Sequence, residues 1–285
     1  MRAPLHARRA APSLLCAPSL LCALALLACG EPPQTRVRVP LWVAGAAPAA
    51  PPAEGPALTR AALAFGPLYL CAGEQAGDLC DAARLEWLDA ALVDALDPAP
   101  VEVGALAGLS GVARSWMYDL GVSSQLDRDA PYLLDAARAL GGSARLEGEW
   151  RAGGAAAARF EALLAVTPGE GTERGVPQVR KGVSERFERD VRPGDALTAR
   201  FDPAALTAGL TARALVEGAE CVGEEPEEPA PEEPAPEELT PEEQLARCGG
   251  VWRVRPGSVA ARQLTLNLTN NARPRFEWSR APSLP

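Results

Sequence analysis

The chain has 285 residues, seven cysteines, one histidine and a formal net charge of −9. If residues 1–28 are removed as a signal peptide, three arginines and His6 go with them, so −9 becomes −12 and no imidazole remains, which excludes histidine-based triads and zinc-hydrolase ligand sets. Eleven of the acids lie between Glu220 and Glu243 with no base among them, so the rest of the body sums to −1 and presents nucleic acid with no clustered basic face.

The first segment places Arg2, Arg8 and Arg9 before an apolar run from Leu14 to Ala28, too short to span a bilayer comfortably, that ends Leu26-Leu27-Ala28-Cys29-Gly30. This is the shape of a bacterial lipoprotein processing site, with residues 1–28 as signal peptide and Cys29 as the lipidated first residue of the mature chain. The hexapeptide Ala11 to Cys16 repeats as Ala17 to Cys22, a duplication within a segment selected for hydrophobicity. One acyl chain anchors only marginally, at about 0.8 kcal/mol per buried methylene. The resemblance to bacterial lipoproteins implies several chains, palmitate among them, and a firm hold on the cell envelope, expected at the outer membrane.

Residues 29–57 read as the lipidated N-terminus, a first strand and a connector. Arg36 to Val43 alternates, with Val37, Val39, Leu41 and Val43 on one face and Arg36, Arg38 and Trp42 on the other. Ala44 to Pro56, rich in Ala and Pro, is a stiff connector. The domain proper, 58–285, opens with an apolar run to Cys71 that Gly66-Pro67 interrupts as a bulge, Pro67 arguing against a central ladder position. Leu85, Leu88, Leu92 and Leu96 recur at helical spacing before Asp97-Pro98 and predict a helix over 81–96. Segments 101–103, 112–122, 144–150 and 158–166 predict strands divided by glycines at 104, 108, 111, 141, 142, 153 and 154, a spacing that favours a sandwich. Asp127, Asp129 and Asp135 are a candidate calcium loop, though an aspartate capping a helix over 131–140 is the simpler reading. Trp116, Met117 and Tyr118 read as core residues of a strand.

Further on, 183–191 and 196–201 predict a hairpin across Arg192-Pro193-Gly194-Asp195, and Asp202-Pro203 caps a short helix to Leu210. Segments 263–268 and 275–278 flank Asn270-Asn271 as a second hairpin. The unit Pro226-Glu-Glu-Pro-Ala recurs at Pro231 and decays after Pro236, which predicts a disordered, solvated loop over 222–247. Cys71, Cys80, Cys221 and Cys248, an even number in an exported chain, predict disulfides. Three connectivities are open, and Cys71 with Cys80 and Cys221 with Cys248 are favoured because each pair brackets a loop-like segment.

The stretch from Ala95 to Ser124, with Arg114-Ser115-Trp116-Met117-Tyr118 at its centre and Phe65-Gly-Pro-Leu-Tyr-Leu-Cys71 before it, resembles a group of uncharacterised lipoproteins of the myxobacterial type and loosely covers most of the mature chain. It is more faintly similar to secreted β-sandwich lipoproteins and to methanobactin-associated copper-binding proteins. The comparison implies a strand, against the helical spacing, over 90–96. Copper needs soft or imidazole ligands, and the mature chain supplies Met117 and no histidine.

The expectation is a mainly β protein, an antiparallel β-sandwich with minor helices. It is held to the membrane by its lipid, faces a protein or glycan envelope partner, and has no metal, cofactor or catalytic residue. The alternatives from other classes are a carboxylate-dependent glycan hydrolase and a weak calcium-binding module.

Overall fold

The computed structural model describes residues 34–47, 50–74, 80, 83–123, 132–166, 181–183, 187–223 and 239–280. Contacts divide the chain into Met1–Gln34 and Thr35–Pro285, and the second unit carries every element below. In chain order these begin with β1 (Arg36–Ala44), β2 (Gly55–Phe65), β3 (Leu68–Cys71), β4 (Ala83–Trp87), β5 (Ala91–Asp94) and β6 (Val101–Leu109). Then come β7 (Gly111–Ala113), β8 (Ser115–Tyr118), β9 (Val122–Ser123), β10 (Tyr132–Leu133), α1 (Asp135–Leu140), β11 (Ala144–Ala152) and β12 (Ala155–Leu164). The remainder is β13 (Lys181–Val183), β14 (Arg189–Val191), β15 (Asp195–Arg200), α2 (Ala212–Gly218), β16 (Ala219–Val222), α3 (Pro241–Ala246), β17 (Val251–Val254), α4 (Val259–Leu266) and β18 (Arg275–Arg280).

The fold is mainly β, as expected, but its sheets are mixed. The larger runs β13-β8-β3-β4-β6-β1-β15-β18 and the smaller β16-β17-β12-β11-β2-β5. One pair in each is parallel, β1 with β15 and β12 with β17. The inward residues of both sheets fuse into one core, with Val39, Leu41, Leu85 and Leu106 from the larger and Leu63, Phe65, Leu146 and Phe160 from the smaller. The larger sheet curls strongly, because Trp116 on β8 meets Phe276 on β18 edge-on at 4.6 Å although five strands lie between them. Phe65, Tyr118 and Phe201 fill the interior of that curl.

Strict alternation made β1, β11 and β12 legible, and the last two form a hairpin across Gly153-Gly154, both at positive φ. The Gly66-Pro67 break is no bulge. It is where the chain leaves the smaller sheet at Phe65 and enters the larger at Leu68, which satisfies Pro67 because a strand end needs no ladder donor there.

The predicted helix over 81–96 is instead two strands in different sheets, β4 and β5. The buried positions are Leu85, Trp87, Val93 and Ala95, at strand spacing, while Leu88 and Leu92 are half exposed. The strand implied over 90–96 by the resemblance is β5. Gly104 and Gly108 do not divide strands but lie within β6, where a Cβ at Gly108 would run into the Arg84 carbonyl oxygen. The Ala/Pro connector is shorter than expected, since β2 starts at Gly55.

The turn at 192–195 forms, with Asp195 Oδ2 accepting from the Arg192 N–H at 3.0 Å, but its flanking strands do not pair. β14 pairs with β7, and β15 finds β1 and β18, so non-local partners take both edges. The predicted strand over 263–268 is α4, capped by Ser258 and burying Ala260, Ala261 and Leu264, and Asn270-Asn271 end a π turn that continues it. Asp135 is not a cap: Leu134 occupies that position and Asp135 pairs with Arg138 in the first turn of α1. Asp202 does cap, accepting from the Ala204 N–H at 3.0 Å, over a 3-10 turn Pro203–Thr207 instead of a helix to Leu210.

Candidate functional site

Both favoured disulfides are present, Cys71–Cys80 and Cys221–Cys248. The first lies in a small buried cluster with Tyr69 and Met117, which places the Met117 thioether away from solvent, while Trp116 and Tyr118 point the other way into the main core. Burial pushes the Tyr118 hydroxyl well above its ordinary range, with Arg273 opposing the shift more weakly. The second disulfide closes the segment containing the acidic repeat. Residues 224–238, Cys29, Asp127 and Asp129 lie outside the described residues. The C-terminal end of the expected loop is ordered: Thr240 accepts from the Glu243 N–H while the Glu243 carboxylate reaches back to the Thr240 N–H at 2.8 Å, and Leu245 of α3 is fully buried. Thr240-Pro241-Glu242-Glu243, a capping box with proline at the first helical position, was the sequence signal for this.

Two of the clefts on the described surface lie between separate elements. One, of about 370 Å³, lies between the Ala/Pro segment before β2 and the 3-10 turn, walled by Pro51, Pro56, Leu58, Leu96 and Pro203, with the capping residue Asp202 at its rim. The other, of about 460 Å³, lies where β12 runs past the end of β17 beside α4, and its wall includes Leu163, Val254, Ala261, Arg145, Glu161 and Arg253.

The charged wall of the second cleft belongs to a row across the outer face of the smaller sheet. Glu147 on β11 stands opposite Glu161 on β12, with Arg60 opposite the first and Arg253 opposite the second. Arg60 meets Glu147 at 3.2 Å, Arg145 meets Glu147 at 3.0 Å and Glu161 at 3.8 Å, and Arg253 meets Glu161 at 2.5 Å. Like charges on directly opposed residues repel, and the arginines relieve this. A carboxylate pair of the kind a glycan hydrolase uses would have to release these guanidiniums before giving or taking a proton.

No family model, curated protein or solved structure matches this chain. Among the described residues no group of three or more His, Cys, Asp or Glu side chains is placed to hold a metal ion, and no helix is long and apolar enough to cross a membrane.

Proposed function

We propose that this protein is a lipid-anchored component of the bacterial cell envelope, held at the outer membrane through Cys29, whose β body binds a partner instead of transforming a substrate. The observation that carries the proposal is the basic segment and apolar run ending Leu26-Leu27-Ala28-Cys29. The two disulfides support it, since they belong to an oxidising compartment outside the cytoplasm. The resemblance to lipoproteins of the myxobacterial type belongs to the same proposal.

The test is to express the full chain in a bacterial host with lipoprotein processing and to compare its intact mass and membrane partitioning with those of Cys29→Ser. The expected mass starts at residue 29 with acyl chains added, and the variant loses both the acylation and the membrane fraction. A soluble, unacylated wild-type product overturns the anchor.

A further inference from the structure

Six tryptophans distribute unevenly. Trp87, Trp116 and Trp150 are buried in the core and Trp252 and Trp278 pack against it, but Trp42 belongs to none of these groups. It sits on β1, near the middle of the larger sheet, at one of the positions that alternate with the buried Val39, Leu41 and Val43, and it is partly exposed on the outer face. Its direct neighbours in register are Glu102 on β6 and Thr198 on β15, and Thr198 in turn faces Glu277 on β18. Opposed residues share a face, so Glu102, Trp42, Thr198 and Glu277 form one row across four strands, about 14 Å long at the usual strand spacing.

The row is chemically uncommitted at its centre. Among the described residues the Glu102 carboxylate makes no ion pair, and neither the Trp42 indole N–H nor the Thr198 hydroxyl makes a hydrogen bond. Glu277 differs: Arg200 meets it at 3.0 Å and holds its carboxyl below the usual range. Arg200 also donates to the Gly45 carbonyl at 3.1 Å, and in register it lies opposite Ala44, one outward position along β1 from Trp42. On the other side the next outward positions, Pro40, Ala105 and Ala196, have short side chains.

We propose that this row binds a saccharide, with one sugar ring stacked on Trp42 and its hydroxyls bonded to Glu102, the indole N–H and Thr198. An aromatic ring supplies a flat apolar surface at low entropic cost and keeps a polar edge. Hydroxyl groups both donate and accept, which matches a row offering an acceptor, a donor and a group that is both. A cationic side chain would use only the ring and Glu102 and leave the donors idle. The inference rests on the binding role proposed above and names its partner class; it does not require the lipid.

The test titrates processed full-length protein in detergent micelles with a soluble N-acetylglucosamine tetrasaccharide and a glucose tetrasaccharide, read by calorimetry. Saturable binding of at least one is expected, reduced tenfold or more in Trp42→Ala, partly retained in Trp42→Phe and reduced severalfold in Glu102→Gln, with each variant still folding cooperatively. No binding of either sugar overturns the proposal, as does binding that Trp42→Ala leaves intact. Binding of poly-lysine in place of sugar, lost in Glu102→Gln, also overturns it and assigns a cationic partner. If Trp42→Ala does not fold, Glu102→Gln carries the decision. The anchor is read separately by mass, so either proposal can fail while the other stands.

Discussion

On the outer face of the smaller sheet Glu147 and Glu161 sit among three guanidiniums, whereas on the larger sheet Glu102 stands beside Trp42 with no ion pair among the described residues. Both faces project from strands of one sandwich over one core, so the difference lies in what each acid faces across the ladder. Where a carboxylate meets arginine, the face is internally satisfied and contributes modestly to stability. Where it meets an aromatic ring and a hydroxyl, its capacity to bond is left for something outside the chain.

That contrast is exposed to test at several magnitudes. The largest effect is expected on the smaller sheet, whose end is stapled covalently: replacing Cys221 and Cys248 by serine frees a 27-residue separation and should cost about 3.5 kcal/mol on the chain-entropy account, against about 2.5 kcal/mol for Cys71 and Cys80, separated by nine. Urea unfolding of both double variants checks the order.

Next comes Asp195, a fully buried carboxylate that receives Arg280 at 3.1 Å, Arg189 at 3.4 Å and the Arg192 N–H, and so ties β18 to β15 at one end of their ladder. Its arginines are partly exposed, so Asp195→Ala should cost about 2–3 kcal/mol, below the full value for a buried pair. Sugar binding at the Trp42 row should weaken with it, because β18 pairs with the β15 strand that supplies Thr198. Retained stability in denaturant would show that the ladder alone holds β18.

Gly108→Ala tests the interior of the larger sheet, where the Arg84 carbonyl leaves no room for a methyl group, and a loss of about 1–3 kcal/mol in thermal unfolding is expected. The smallest effect sharpens the comparison most. Glu161→Gln should lower stability by less than about 1 kcal/mol, shrinking further in high salt, with no change in sugar binding. Glu102→Gln should do the reverse, and identical behaviour of the two variants would erase the distinction between the faces.

Much of the sandwich was legible because a half-buried strand repeats every two residues, and β1, β11 and β12 show that period cleanly. The segment 81–96 misled because four leucines fall at helical spacing while the residues that are buried, Leu85, Trp87, Val93 and Ala95, obey the strand period on both sides of an exposed Leu88. The predicted hairpin at 192–195 failed for a different reason. Local turn chemistry was right, but the strands on either side gain more from distant partners than from each other. Of the proposed site, only the outward position of Trp42 was visible in the alternation of β1. Its neighbours Glu102, Thr198 and Glu277 come from three strands far along the chain, and no local pattern encodes a register set by the whole sheet.

The described residues on either side of the acidic repeat meet at a narrow waist. β16 and β17 are hydrogen-bonded up to Val222 and Val251, Cys221 is joined to Cys248, and Gly223 and Gly250 approach so closely that neither admits a side chain without displacing the other. For a flexible segment clamped at both ends, doubling its length costs only about 0.6 kcal/mol of closure entropy. A copying slip that adds or drops one Pro-Glu-Glu-Pro-Ala unit is then nearly silent to folding. Variants with one unit more or one unit fewer are expected to unfold at nearly the same denaturant concentration as the parent chain.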